Sequence, residues 1–237
     1  MAGTGLPGGG VAALAAAHPA PSVFGGSANV VAVLVLLLEF GMFRQALLRD
    51  QIRLYAAQSA AISVLAVIIA AARDVPQLYV LAALSAALKV VIVPVLMRRL
   101  LRGADGEIAG SGALGLASTV LLAIAVGAFG FFAVGTLGIA GVTLPRTALG
   151  LAMAVVLVAF VLMIVRRDVV SQAIGFFSLE NGVSLAALVI AARMPLILAV
   201  AFLFDLLVAV IVFGVLIRVH HGRAESLSTA GLTRLRG

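Results

Sequence analysis

Four ionisable side chains, Glu39, Lys89, Glu180 and Asp205, stand inside long apolar runs, each ten to thirteen residues from the start of its run. If those runs cross a membrane, that depth is close to the bilayer midplane, where one charged side chain costs about 2.5–3.5 kcal/mol. Four uncompensated charges would cost on the order of 10–14 kcal/mol, as much as the whole stability of a typical domain. The groups are therefore expected to pair, to hold a proton, or to face a water-filled path. Lys89 is the one cation at that depth. Pairing it with Glu180 or Asp205 leaves the remaining carboxyls protonated at rest, the state that a proton relay needs.

Polar neighbours accompany these groups. In the run that holds Glu180, the residues Gln172, Glu180 and Ser184 follow one another at spacings of eight and four, with Asn181 adjacent. In the second run Gln51, Tyr55, Ser59 and Ser63 recur at steps of four, which on a helix makes one stripe. Two readings are open: a wetted interior path, or polar glue between membrane helices that conducts nothing. Pro94, five residues after Lys89, removes a backbone donor and is expected to kink or loosen the helix near the charge.

The elements that must position these side chains follow from hydropathy. Of 237 residues, 64% are hydrophobic and 11% charged, far from the roughly 45–50% and 25% of a soluble domain. Apolar stretches run at about 29–48, 54–72, 76–97, 113–136, 147–165, 169–192 and 195–217, separated by Arg, Gly or Pro. Each is near the length of about 20 residues that a span requires, and lipid leaves no partner for open backbone groups, so the runs are expected to be helices. The fold class is an all-α, polytopic transmembrane bundle of about seven spans with no separate extramembrane domain.

Basic residues orient the bundle. With the N-terminus outside, twelve arginines (44, 49, 53, 98, 99, 102, 166, 167, 218, 223, 234 and 236) fall at cytoplasmic ends and only Arg73, Arg146 and Arg193 outside. The expected topology is N-terminus outside and C-terminus cytoplasmic, in the inner (cytoplasmic) membrane. Residues 1–28, rich in Ala, Gly and Pro and lacking Lys or Arg, read as a flexible, uncleaved tail rather than a secretory signal. A weak repeat links Leu48-Arg49-Asp50-Gln51 and Ala71 to Pro76 with Arg166-Arg167-Asp168-Val169 and Ala191 to Pro195, at offsets of 118 to 120. It divides the chain into a three-helix unit over 29–112, a connecting fourth helix within 113–146, a second three-helix unit over 147–220 and a tail over 221–237. Both units would point the same way through the bilayer.

The chain has no Cys or Trp, and its histidines are His18, His220 and His221, so thiolate clusters, a bis-His haem and a His-rich metal site are not expected. No cofactor is expected. The net charge of +7 reads as a topology signal rather than as nucleic-acid binding, with anionic lipid a secondary partner for the arginine clusters. Gly8-Gly9-Gly10 lacks the strand and helix context of a phosphate loop, so an independent enzyme is disfavoured.

The stretch from Arg166-Arg167-Asp168 through Ile174-Gly175 to Leu179-Glu180-Asn181-Gly182, the segment Lys89-Val-Val-Ile-Val-Pro94 and the tail Leu232 to Gly237 resemble hydrogenase-4 component E of formate hydrogenlyase-type complexes. The resemblance extends over the chain from about residue 29. The last three spans are also similar to the small K subunit of respiratory complex I and the C subunit of Mrp antiporters, which carry carboxylates in two successive helices. Glu180 and Asp205 occupy comparable helices, although Phe177 stands where the first carboxylate of that pattern would, about one turn before Glu180. The resemblance implies a non-redox membrane-arm subunit beside antiporter-like proteins, in a complex whose hydrophilic arm carries the redox chemistry. On that reading Glu180 and Asp205 exchange protons, Lys89 tunes them, and Glu39 extends or anchors the path. The alternatives are a purely structural subunit whose Lys89 pair fixes helix register and, further off, a stand-alone transporter built on the repeat.

Overall fold

The computed structural model describes residues 23–101, 114–137, 144–191 and 195–233. Residues 1–22 of the expected 1–28 tail, with His18, and the charges at Arg102, Arg193, Arg234 and Arg236 lie outside the described residues, as do the side chains from 217 onward, including His220 and His221; residues 23–28, expected as tail, are instead helical and open the first helix. All regular structure among the described residues is helical: α1 (Val23–Arg44), α2 (Leu48–Arg73), α3 (Pro76–Leu101), α4 (Leu116–Thr136), α5 (Arg146–Val165), α6 (Val169–Ala191) and α7 (Pro195–Thr233). All seven are long and apolar enough to cross a membrane, the apolar part of α7 being Ala199–Leu216.

Hydropathy located every helix but not every end. Helix α2 starts six residues before its apolar stretch, because Arg49, Asp50 and Arg53 form a helical turn in which Arg53 Nη1 meets Asp50 Oδ1 at 2.8 Å. Backbone hydrogen bonds likewise carry α7 past its apolar stretch, to Thr233. The corners have local causes. Asp74 closes α2 in the left-handed region, at φ 53°, with its N–H on the Ala70 carbonyl, and Pro76 then opens α3 where its missing N–H is harmless. Asp168 caps α6, its Oδ1 accepting the Ser171 N–H at 2.6 Å.

Lys89 falls within Ala87–Ile92, a π-helical segment of α3 closed by the Val93 N–H on the Leu88 carbonyl. The widened turn accommodates the Pro94 ring, which would press on the carbonyl four residues before it in a regular helix. This is the loosening near the charge that the sequence suggests.

The helices form two rows. Helices α1, α2 and α3 make one row, α5, α6 and α7 the other; α1 faces α5, α2 faces α6 and α3 faces α7, while α4 lies outside against α5 and α1. Facing helices run parallel. Thr147 Oγ1 donates to Asn29 Oδ1 at the starts of α5 and α1, and Arg166 Nη2 bonds the Phe43 carbonyl, at 2.9 Å, at their ends. Likewise Ser171 meets Gln51 and Ser178 meets Gln58, each pair 120 residues apart. Small residues permit the close approach between helices. A Cβ added at Gly182 of α6 would lie 3.0 Å from the Val156 backbone nitrogen of α5, and one at Gly130 of α4 would lie 2.7 Å from Leu157 Cδ1.

The interior is stratified. One apolar cluster holds Met42, Ile52, Tyr55, Met97, Phe177 and Phe213, near the ends of α1 and α3 and the starts of α2 and α6. The other, toward the opposite side, holds Ala28, Val35, Leu65, Leu78, Leu149 and Leu185. Between them lies a layer that contains Glu39, Gln58, Ser59, Lys89, Ser178, Glu180 and Asn181, all buried.

Candidate functional site

The polar layer has two halves, joined by α6. On one side of α6, Lys89 of α3 extends its ammonium between two carboxyls: Nζ lies 2.6 Å from Asp205 Oδ2 of α7 and 4.0 Å from Glu180 Oε2 of α6. Nζ also donates to Ser184 Oγ at 3.1 Å, and the Ser184 hydroxyl is 3.3 Å from Asp205 Oδ2. Lys89, Glu180 and Asp205 are 3%, 3% and 6% exposed, so all three charges are buried among the helices. One ammonium thus serves two acids unequally, with Asp205 the close partner and Glu180 the distant one. Glu180 Oε1 has no hydrogen-bond partner among the described residues.

On the other side of α6, Glu39 of α1 is fully buried. Its Oε2 accepts from Gln58 Nε2 at 2.8 Å and adjoins the Ser178 hydroxyl. Gln58 Nε2 also reaches the Val35 carbonyl at 3.3 Å, while Gln58 Oε1 meets Ser178 Oγ at 2.8 Å and Asn181 Nδ2 at 3.0 Å. Asn181 Nδ2 donates in addition to Ser59 Oγ at 2.8 Å. Spacing on α6 produces the two halves: Ser178 and Asn181, three apart, face α1 and α2, whereas Glu180 and Ser184, four apart, face α3 and α7.

A cleft with room for water, about 60 Å³, reaches the Lys89 half. Leu78, Ser85, Ser63, Ser184 and Asp205 are among its walls, so it follows the second half of α2 and the first half of α3 down to the ion pair. At ~15 Å³ per water it has room for a few molecules beside Asp205. The Tyr55 ring packs on Phe177, with centroids 5.7 Å apart, and its buried hydroxyl has no partner among the described residues.

Of the residues singled out by sequence, Lys89, Glu180, Asp205 and Ser184 come together, as do Glu39, Asn181 and Ser59. Gln172 joins neither group. It is exposed, and its Nε2 bonds the Arg166 carbonyl at 2.9 Å. An eight-residue step turns a helix by about 80°, too far for Gln172 to share the face of Glu180. Three further residues, Gln58, Ser171 and Ser178, are buried partners that the four-residue stripe passed over. A seven-residue step links Gln51 to Gln58 and Ser171 to Ser178, and it was the available signal for them.

No protein-family model matches this chain. Among curated proteins, it is 46% identical over 76 residues to "Uncharacterized protein Rv0085" of Mycobacterium tuberculosis, a match covering 32% of this chain and 34% of that protein. The chain thus spans about a third of the length of the curated relative it matches. No solved structure matches it.

Proposed function

We propose that this chain is a non-redox membrane-arm subunit of a hydrogenase-4 or complex I-like oxidoreductase complex, and that it contributes to proton or cation translocation through Lys89, Glu180 and Asp205. The observation that carries the reading is the shared ammonium. A single Lys89 Nζ stands 2.6 Å from one carboxyl and 4.0 Å from a second, at mid-helix and beside a cleft with room for water. Small movements of Lys89 toward Glu180 or Asp205 change which acid is compensated and which one binds a proton. That exchange is a translocation step with no redox centre in this chain. The π-helical turn around Lys89 supplies a segment that can shift without breaking a regular helix.

Support for the complex comes from the residue pattern resembling hydrogenase-4 component E, and support for an outside N-terminus and cytoplasmic C-terminus from the arginine distribution. The inner membrane and antiporter-like neighbours belong to the same proposal. A second reading has its own observation: the direct 2.6 Å contact of Lys89 with Asp205, braced by Ser184, also suits a fixed register lock in an assembly subunit. Gentle affinity purification from native membranes tests the membership. Antiporter-like subunits and a hydrophilic redox arm are expected in the eluate, and a chain that purifies alone contradicts it.

A further inference from the structure

Glu39 sits apart from the ion pair, and the hydrogen-bond pattern around it specifies how many protons the site holds. The Val35 backbone carbonyl can only accept, so the Gln58 group 3.3 Å from it is the amide nitrogen. That fixes the other end of Gln58, the acceptor Oε1, against Ser178 Oγ at 2.8 Å and against Asn181 at 3.0 Å. The Asn181 atom facing it is therefore the nitrogen, which also donates to Ser59. Ser178 then lies between two oxygens, Gln58 Oε1 and Glu39 Oε2, with one hydroxyl proton for both contacts. If Ser178 donates to an ionised Glu39, two lone pairs oppose each other across 2.8 Å at Gln58. If it donates to Gln58, the contact with Glu39 lacks a proton. One added proton satisfies both contacts.

We infer that Glu39 is a proton-holding site: its carboxyl keeps a proton that it donates to Ser178, Ser178 donates to Gln58, and this chain latches α1 to α2 and α6. The occupant is a proton rather than an alkali ion. Gln58 Nε2 and Asn181 Nδ2 direct N–H groups at Glu39 Oε2, Gln58 Oε1 and Ser59 Oγ, which leaves Glu39 Oε1 and Asn181 Oδ1 as the cluster's oxygens without a partner among the described residues, fewer than a hard cation needs to coordinate it. The chain ends at the carboxamides of Gln58 and Asn181, which do not release protons readily. Glu39 thus holds its proton as an anchor beside the Lys89 path, not as a step within it, and the inference stands whether or not Lys89 and its two acids conduct.

Infrared spectroscopy of the purified full-length protein in lipid nanodiscs tests this directly. The wild type should show a protonated-carboxyl C=O band that shifts in heavy water, is lost in Glu39→Gln and remains in Glu180→Gln and Asp205→Asn. In Ser178→Ala the same band should move to higher frequency, as the acid loses its hydrogen-bond acceptor; this variant carries the test if Glu39→Gln does not fold. A band unchanged in both Glu39→Gln and Ser178→Ala overturns the inference. So does a Glu39 band that is absent in sodium buffer and appears only when sodium is replaced by choline, because an alkali ion would then occupy the site.

Discussion

Removing Lys89 should destabilise the protein more than removing either acid, and the geometry gives the margin. At an effective dielectric of ~20, Nζ attracts Asp205 Oδ2 at 2.6 Å by about 6 kcal/mol and Glu180 Oε2 at 4.0 Å by about 4 kcal/mol. Desolvation of the three charges offsets most of this, and deleting one partner of a buried pair typically costs about 3–5 kcal/mol. Lys89→Met strands two acids at once. Proton uptake by one of them caps the damage, so a loss of about 3–4 kcal/mol is expected. Asp205→Asn leaves the ammonium with Glu180 and keeps a side chain that can still meet Ser184, so its expected cost is about 1–3 kcal/mol. The double variant should be more stable than Lys89→Met alone, since it no longer buries the nearer acid without its partner. Equilibrium unfolding in mixed micelles, comparing midpoints and slopes for the three variants, reads the order. An Asp205→Asn protein less stable than Lys89→Met, or a double variant that simply adds the two losses, would refute the shared-ammonium reasoning.

Two further outcomes follow from packing and orientation. Gly182→Ala places a Cβ 2.8 Å from Val156 Cγ2 and 3.0 Å from the Val156 nitrogen, so it should cost about 1–3 kcal/mol. Gly135→Ala, with nothing within 4 Å, should stay within ~0.5 kcal/mol in the same unfolding assay. Because the chain has no Cys, single cysteines at Asp74 and at Leu47 report topology cleanly. An impermeant maleimide added outside intact cells should label the first and not the second, and the reverse pattern would invert the proposed orientation.

The seven spans were legible because lipid demands long apolar helices, and a run such as 147–165 has no other use. The buried charges were legible for the opposite reason: Lys89 and Glu180 interrupt such runs at a cost that only a partner or a proton removes. Which helices meet was not legible. Nothing in the order of residues says that α2 lies against α6, and without that contact Gln58 and Ser178 look like ordinary polar residues off the main stripe. The same gap hid the separation of Glu39 from the Lys89 group. All four ionisable residues share a depth, but Ser178 and Asn181 face one way from α6 and Glu180 the other, and two sites result. The π-helical turn was half visible, since Pro94 announced a disturbed backbone without stating its form.

On the proposed reading Glu180 exchanges protons rather than merely packing. The most direct test of this is proton movement and complex assembly measured side by side in membranes carrying Glu180→Gln. Lost proton movement in a fully assembled complex is the predicted result. Lost assembly, or no effect on either property, would contradict it and leave the chain a scaffold.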